Sequence, residues 1–269
     1  MYKNIKVIDS HCHVYPEKIA VKAVKGTDDF YRTTAKCLGT SDDLLMQNEK
    51  AGIDFSLIES VATTPKQVNS INTFIASLVE SHKDRYKGLG TVHHESECME
   101  DDINRIVELG LIGVKIHPDI QKVKIDDYRL LKVYEICEKL HLPVLFHTGD
   151  DRYDYSNPNR LIPILDTYDK LTVIGAHFGG YSVWEDAVPK LADRDNFYVD
   201  LSSSLMYIDK EKAIRYINMY GVDKVLFGTD YPMWNPKEEL DRFLTLELSE
   251  EERNKILYYN AKKLYDLEV

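Results

Sequence analysis

His11, Cys12 and His13 close a short apolar run, Ile5-Lys6-Val7-Ile8-Asp9. Residues two apart in a strand project from one face, so both imidazoles aim at a common point and offer half of a divalent metal site. Further polar residues that could gather with them follow β-branched runs along the chain. They are Lys115 and His117 in Gly113-Val114-Lys115-Ile116-His117-Pro118, and His147 in Val144-Leu145-Phe146-His147-Thr148-Gly149. His177 follows in Ala176-His177-Phe178-Gly179-Gly180, and Asp230 in Phe227-Gly228-Thr229-Asp230-Tyr231-Pro232. Neutral imidazole and carboxylate suit a borderline cation such as Zn2+, whose bound water ionises near neutral pH. A carboxylate beside it can take that water's proton and return it to a leaving group. Singly, each residue also has a plain structural reading. His147 could cap a strand end, Asp230 could open a turn, and the glycines after His177 could form an anion-binding loop.

The elements that must hold these groups repeat. Strands are expected at 5–9, 54–60, 87–92, 112–116, 142–147, 171–176, 196–201 and 223–228. Helical periods lie between them, near 41–51, 67–83, 98–109, 126–140, 158–168, 181–192, 209–219 and 236–246. Ser41-Asp42-Asp43 and Asp126-Asp127 are helix-start signals. Strict alternation means parallel strands joined by right-handed crossovers. Eight such units point to an α/β fold, a TIM-type (β/α)8 barrel, as a single domain over 1–269 with a last helix, Ser249 to Leu267, packed outside. A doubly wound open sheet would instead place a glycine-rich phosphate loop after the first strand, where this chain has His-Cys-His. In a barrel the carboxyl ends of the strands gather at one mouth. Five of the nine histidines fall at such ends. The segment between His13 and Ser41 is the expected specificity loop or lid.

The balance of 34 basic against 45 acidic residues, net −11, argues against nucleic acid or an anionic membrane as main partner. A small-molecule substrate is expected instead. Cys12, Cys37, Cys98 and Cys137 show no paired spacing, which suits reduced thiols and a cytoplasmic location. Met1-Tyr2-Lys3-Asn4 leaves no room for a signal peptide before the first strand. No apolar stretch approaches the ~20 residues that span a bilayer.

Taken together, the motifs resemble the amidohydrolase superfamily, in the amidohydrolase-related branch that also contains nonoxidative decarboxylases. The resemblance rests on D-S-H-C-H at 9–13, G-V-K-I-H-P at 113–118, H-T-G at 147–149, A-H-F-G-G at 176–180 and F-G-T-D-Y-P at 227–232, and spans residues 5 to about 260. It implies that His11, His13, His147 and Asp230 bind one divalent metal, Zn2+ first, with Asp230 carrying protons. His177 would stand by metal and substrate as proton donor, electrostatic stabiliser or additional ligand. Alternation puts Lys115 and His117 on one face. In some relatives a lysine on this strand is carboxylated and bridges two metals. Unmodified, the Lys115 ammonium could hold a substrate carboxylate or enter a buried ion pair. Lys115, His117, Arg152 and Tyr231 are the substrate-binding candidates.

The activity expected first is metal-dependent hydrolysis of a C–N or C–O bond in a small carboxylated molecule. The alternative is nonoxidative decarboxylation of a small aromatic or unsaturated acid, and addition of water to a double bond is a third use of the same parts. A TatD-type nuclease would carry a glutamate where this chain has Lys115, and an idle scaffold would tend to lose ligands. The resemblance also implies a homodimer.

Overall fold

The computed structural model describes residues 6–269; Met1–Ile5, which include the first residue of the expected first strand, lie outside the described residues. Strands β1 (Ile8–His13), β2 (Phe55–Glu59), β3 (Tyr86–Gly88), β4 (Gly90–Thr91) and β5 (Val114–Ile116) follow one another in space as in sequence. So do β6 (Val144–Phe146), β7 (Val173–Gly175), β8 (Phe197–Asp200) and β9 (Val225–Leu226), and every pairing is parallel. β3 and β4 are two halves of one barrel strand, parted at Leu89, whose N–H still reaches the Ile58 carbonyl at 3.0 Å. The ring closes where Ser10 N–H donates to the Phe227 carbonyl (2.9 Å) and Asp230 N–H to the His11 carbonyl (3.0 Å). The chain is a closed parallel α/β barrel.

Its helices are α1 (Glu17–Tyr31), α2 (Ser41–Ala51), α3 (Val68–Ser81), α4 (Met99–Glu108), α5 (Pro118–Gln121) and α6 (Leu131–Leu140). They continue as α7 (Leu161–Thr167), α8 (Trp184–Leu191), α9 (Lys210–Tyr220), α10 (Pro236–Leu244), α11 (Glu250–Asn254) and α12 (Asn260–Leu264). Side-chain oxygens satisfy free amides at several starts: Thr40 accepts from Asp43 N–H before α2, and Asp209 from Lys212 N–H before α9. Asp127 caps a single 3-10 turn rather than α6 itself, which begins later than its periodicity suggests. The first strand is shifted toward the carboxyl side of its expected 5–9, so His11 and His13 lie within it, beside an irregularity in register between Asp9 and Cys12.

Alternation sorts the strand residues into two layers. Val114, Ile116, Val144, Phe146 and Val173 face the helices, while Ile8, Phe55, Leu57, Leu145, Ile174 and Leu226 fill the barrel interior. Tyr258, Ala261, Tyr265 and Leu267 join that interior cluster. The terminal helix therefore lies outside the strands and seals the barrel floor. Above the interior layer, at the opposite end, polar side chains take over.

The segment expected as a loop after His13 contains a 15-residue helix, α1. Ile19, Ala20, Ala23 and Val24 recur at helical steps, yet only Ala20 is fully buried. Its apolar face looks over the barrel mouth instead of into packed core.

Candidate metal centre and active site

Two groups of side chains meet at the mouth. In the first, His11 and His13 from β1 bring their Nε2 atoms to 3.2 Å of each other. Asp230 Oδ1, just past β9, is 3.4 Å from His11 Nε2 and 3.6 Å from His13 Nε2. Its partner oxygen accepts from the Ser203 hydroxyl at 2.5 Å. Asp200, at the end of β8, accepts from His11 Nδ1 at 2.8 Å. In the neutral, ligating form of His11 that bond puts the proton on Nδ1 and leaves the Nε2 lone pair facing the cluster. Burial and the Lys115 charge lower this imidazole, but Asp200 and Glu59 together outweigh them and raise it above its ordinary value. Burial raises the Asp200 carboxyl, but His11, His177 and Ser202 outweigh it and hold Asp200 well below the usual carboxylate range. Burial likewise raises Asp230, and the neighbouring His11 and His177 bring it down below its ordinary value.

Glu59 belongs to this group, although the sequence reading passed over it. Phe55 and Leu57 on β2 point inward, so the period of two carries Glu59 inward at the same level as His11. Glu59 Oε1 lies 3.3 Å from His11 Nε2, 3.7 Å from His13 Nε2 and 2.9 Å from Lys115 Nζ. Lys115 Nζ is also 3.0 Å from His11 Nε2, and both Lys115 and Glu59 are fully buried.

The second group is mostly imidazole. His147 Nδ1 is 3.0 Å from His177 Nε2, and His177 Nδ1 donates to the Ser202 carbonyl at 3.0 Å. Since a carbonyl only accepts, His177 keeps its lone pair on Nε2 and His147 donates to it. His117 stacks on His147 with centroids 4.1 Å apart, and Asp119 Oδ2 is 3.6 Å from His147 Nε2. Tyr31, the last residue of α1, sets its hydroxyl 2.8 Å from His117 Nε2. His147, expected beside His11, His13 and Asp230, thus faces His117, Asp119 and His177. Burial drives the imidazoles of His13, His117, His147 and His177 below their ordinary range, aided by the Lys115 charge for His13 and His117 and by His117 and His177 for His147. Neutral imidazole is the ligating form.

Backbone shape supports this placement. His177 and Asp230 have φ of 59° and 60°, a left-handed conformation uncommon outside glycine that clusters at functional sites. Gly149 (φ 83°) lets the loop after β6 run against Tyr181, whose backbone would lie 2.4 Å from an added Cβ. Tyr181 then stands beside His147 and His177.

A cavity of ≈ 1000 Å³ opens above both groups, with His11, His13, Lys115, His117, His147, His177 and Asp230 in its lining. Its walls are largely apolar and aromatic, from Ile19, Phe30, Tyr31, Ile71, Phe74, Tyr181, Tyr207 and Trp234. Two candidates do not line it. Arg152 is bonded to Asp150, donates to the Phe30 carbonyl at 2.7 Å and lies over the Phe30, Tyr31 and Tyr153 rings. It fastens the end of α1. Tyr231 is fully buried, donating to Asp43 Oδ2 at 2.8 Å, because the residue after Asp230 turns back under the α2 start.

A family model described as amidohydrolase matches residues 8–267. The chain belongs to the amidohydrolase family. Among curated relatives, the chain is 27% identical over 206 residues to 2-amino-3-carboxymuconate-6-semialdehyde decarboxylase of Dictyostelium discoideum, a match covering 60% of the chain and 55% of that protein. It is 30% identical over 247 residues to the gamma-resorcylate decarboxylase of Polaromonas sp. strain JS666, covering 73% of the chain and 75% of the relative. The alignment thus spans little more than half of the Dictyostelium protein. Among solved structures, dihydroxybenzoic acid decarboxylase from Polaromonas sp. JS666, with bound manganese and the inhibitor 2-nitroresorcinol, superposes with a TM-score of 0.77. That likeness covers 99% of the chain and 98% of the neighbour at 19% identity, and it shows the shared fold.

The chain's own donors fit a divalent metal. His11, His13 and Asp230 offer ligand atoms within 4.8 Å of one another, as do His117, Asp119 and His147. Buried next to the first set, both Glu59 oxygens lack a directed hydrogen bond, which is the environment a cation relieves. Nitrogen and oxygen donors serve Zn2+ and Mn2+ alike. No helix among the described residues is long and apolar enough to cross a membrane.

Proposed function

We propose that this protein is a metal-dependent nonoxidative decarboxylase of a small aromatic or unsaturated carboxylic acid. The observation that carries this over hydrolysis is that both curated relatives, matched across most of the barrel, are decarboxylases. The aromatic cavity walls suit a planar acid, with the donor cluster at the base to receive its polar edge.

In this reading His11, His13 and Asp230 hold one divalent ion, with His147 turning in from the adjoining group to complete the set. Zn2+ or Mn2+ there would supply Lewis-acid charge to orient and polarise the bound acid. Exchange of a carboxylate for hydrogen needs one proton at the carbon that loses CO2. Asp230 takes a proton from a substrate hydroxyl or water and returns it to that carbon, so the net change is consumption of one proton and release of CO2. His177, its Nδ1 proton committed to the Ser202 carbonyl, keeps a lone pair on Nε2, through which it holds His147 in place or adds a ligand to the metal. Lys115 and His117 contact the substrate's anionic groups. The substrate is a free small molecule, the chain works in the cytoplasm, and two copies pair.

The test is a parallel assay of the zinc- and manganese-loaded protein on 2,6-dihydroxybenzoate, other hydroxybenzoates and unsaturated amino-carboxylic acids, beside lactones and N-acyl amino acids. Released CO2 with an equivalent of decarboxylated product supports the proposal. Ring opening or amide cleavage without CO2 would return the assignment to hydrolysis.

A further inference from the structure

The Glu59–Lys115 contact is fully buried yet lacks the hydrogen bonds expected of a structural ion pair. It joins β2 to β5, the strands on either side of the split strand β3–β4, within one layer of the barrel interior. Neither residue is exposed, and neither Glu59 oxygen receives a well-directed hydrogen bond. Ordinary buried ion pairs offset desolvation with such bonds. What Glu59 has instead is a ring of cation-seeking atoms. Its Oε1 sits 3.3 Å from His11 Nε2 and 3.7 Å from His13 Nε2. In the neutral, ligating imidazole Asp200 holds the His11 proton on Nδ1 at 2.8 Å, so His11 Nε2 has a single lone pair, and Lys115 Nζ stands 3.0 Å from it. One lone pair serves one cation. A metal ligated by His11 and the Lys115 ammonium therefore compete for the same nitrogen and for the same carboxylate.

We propose that Glu59 is a metal-ligating carboxylate of this centre and that the Lys115 ammonium is its tethered competitor, so that metal binding displaces Lys115 from His11 and Glu59. Lys115 is then delivered toward the cavity it already lines, where its charge is available to a substrate carboxylate. The inference rests on the reading that His11, His13 and Asp230 form the metal centre, and it adds a ligand and a switch to that reading. It differs from a carboxylated, metal-bridging lysine in the sign of its main consequence: loss of Lys115 strengthens metal binding.

Mn2+ affinity, measured by titration calorimetry on the full chain, separates the cases. Lys115→Met should bind Mn2+ at least ten times more tightly than wild type, while its metal-stripped form melts at lower temperature because Glu59 loses its counter-charge. Glu59→Gln should bind at least ten times more weakly. The neutral double variant, Glu59→Gln with Lys115→Met, keeps the packing without either charge and should bind more tightly than Glu59→Gln alone. Unchanged affinity in both single variants would reduce the pair to structural glue and overturn the proposal. Weaker binding in Lys115→Met would overturn it in favour of lysine as a ligand. His13→Ala is the control for the centre itself: if it retains wild-type affinity, the metal-centre reading fails, whatever the other variants do. If it loses metal while Glu59→Gln does not, only the role of Glu59 falls.

Discussion

Tyr31 Oη lies 2.8 Å from His117 Nε2 and 3.3 Å from His147 Nε2, so the end of α1 touches histidines carried by two other strands. The covering helix is wired to the site it covers. Tyr31→Phe removes the hydroxyl and keeps the ring. One hydrogen bond at this position is worth about 1–1.5 kcal/mol, so the melting temperature should fall by about 2–5 °C and, because the hydroxyl holds His117 at the reacting end of the cavity, kcat by up to about tenfold, with metal content unchanged. Steady-state kinetics on the manganese-loaded protein read this directly, and a variant with unaltered kcat would make Tyr31 part of the wall only.

Arg152 holds that helix end down through Asp150, the Phe30 carbonyl and three aromatic rings. It is partly exposed, so its charge contacts are screened and cation–π stacking contributes only about 0.5–1 kcal/mol. Arg152→Ala should barely alter global stability while raising hydrogen exchange and protease cleavage within 17–31. Exchange mass spectrometry showing wild-type protection there would mean that α1 is held by its packing alone.

Leu226 is fully buried in the barrel interior, where Tyr258 and Tyr265 of the terminal segment pack beneath the strands. Leu226→Ala leaves a cavity that a closed barrel cannot collapse around, and should cost about 2–5 kcal/mol. Denaturant titration gives the value. A loss near the ~0.5 kcal/mol typical of surface changes would show a softer interior than this packing implies.

Glu239 on α10 is almost completely buried, and burial pushes its carboxyl up from 4.5 to about 7, with Arg242 only partly opposing it. Between those values the folded chain binds a proton that the unfolded chain has released. Stability from this group is therefore greatest below about pH 4.5 and declines as pH rises toward about 7. The slope reaches at most about 1.4 kcal/mol per pH unit. Glu239→Gln should flatten that part of the stability–pH curve and be the more stable form at pH 8. Parallel curves for the two proteins would contradict it.

Much of the site was legible in one dimension because barrel chemistry sits at strand ends, and strand ends are marked by where β-branched runs stop. His11, His13, Lys115, His117, His147, His177 and Asp230 all reach the mouth for that reason. Glu59 was within reach too, since Phe55, Leu57 and Glu59 share one face of a strand already recognised; an acidic residue at a strand end simply resembles any solvated carboxylate. Arg152 and Tyr231 show the opposite error. Residue type and proximity in sequence suggested a pocket, but Arg152 turns onto α1 and Tyr231 onto Asp43.

The sequence by itself determined the alternation of strand and helix, hence the closed barrel, because periods of two and 3.6 are properties of local stretches. It also determined which chemical groups could gather at the mouth. Only the tertiary structure decided which gather together: Lys115 with Glu59 from next-but-one strands, His147 with His117 and His177, Tyr31 against His117 and His147. Those pairings depend on the closure of the ring and on where α1 folds back. Distances between residues dozens of positions apart are set by the packing of the whole barrel, and no local pattern carries them.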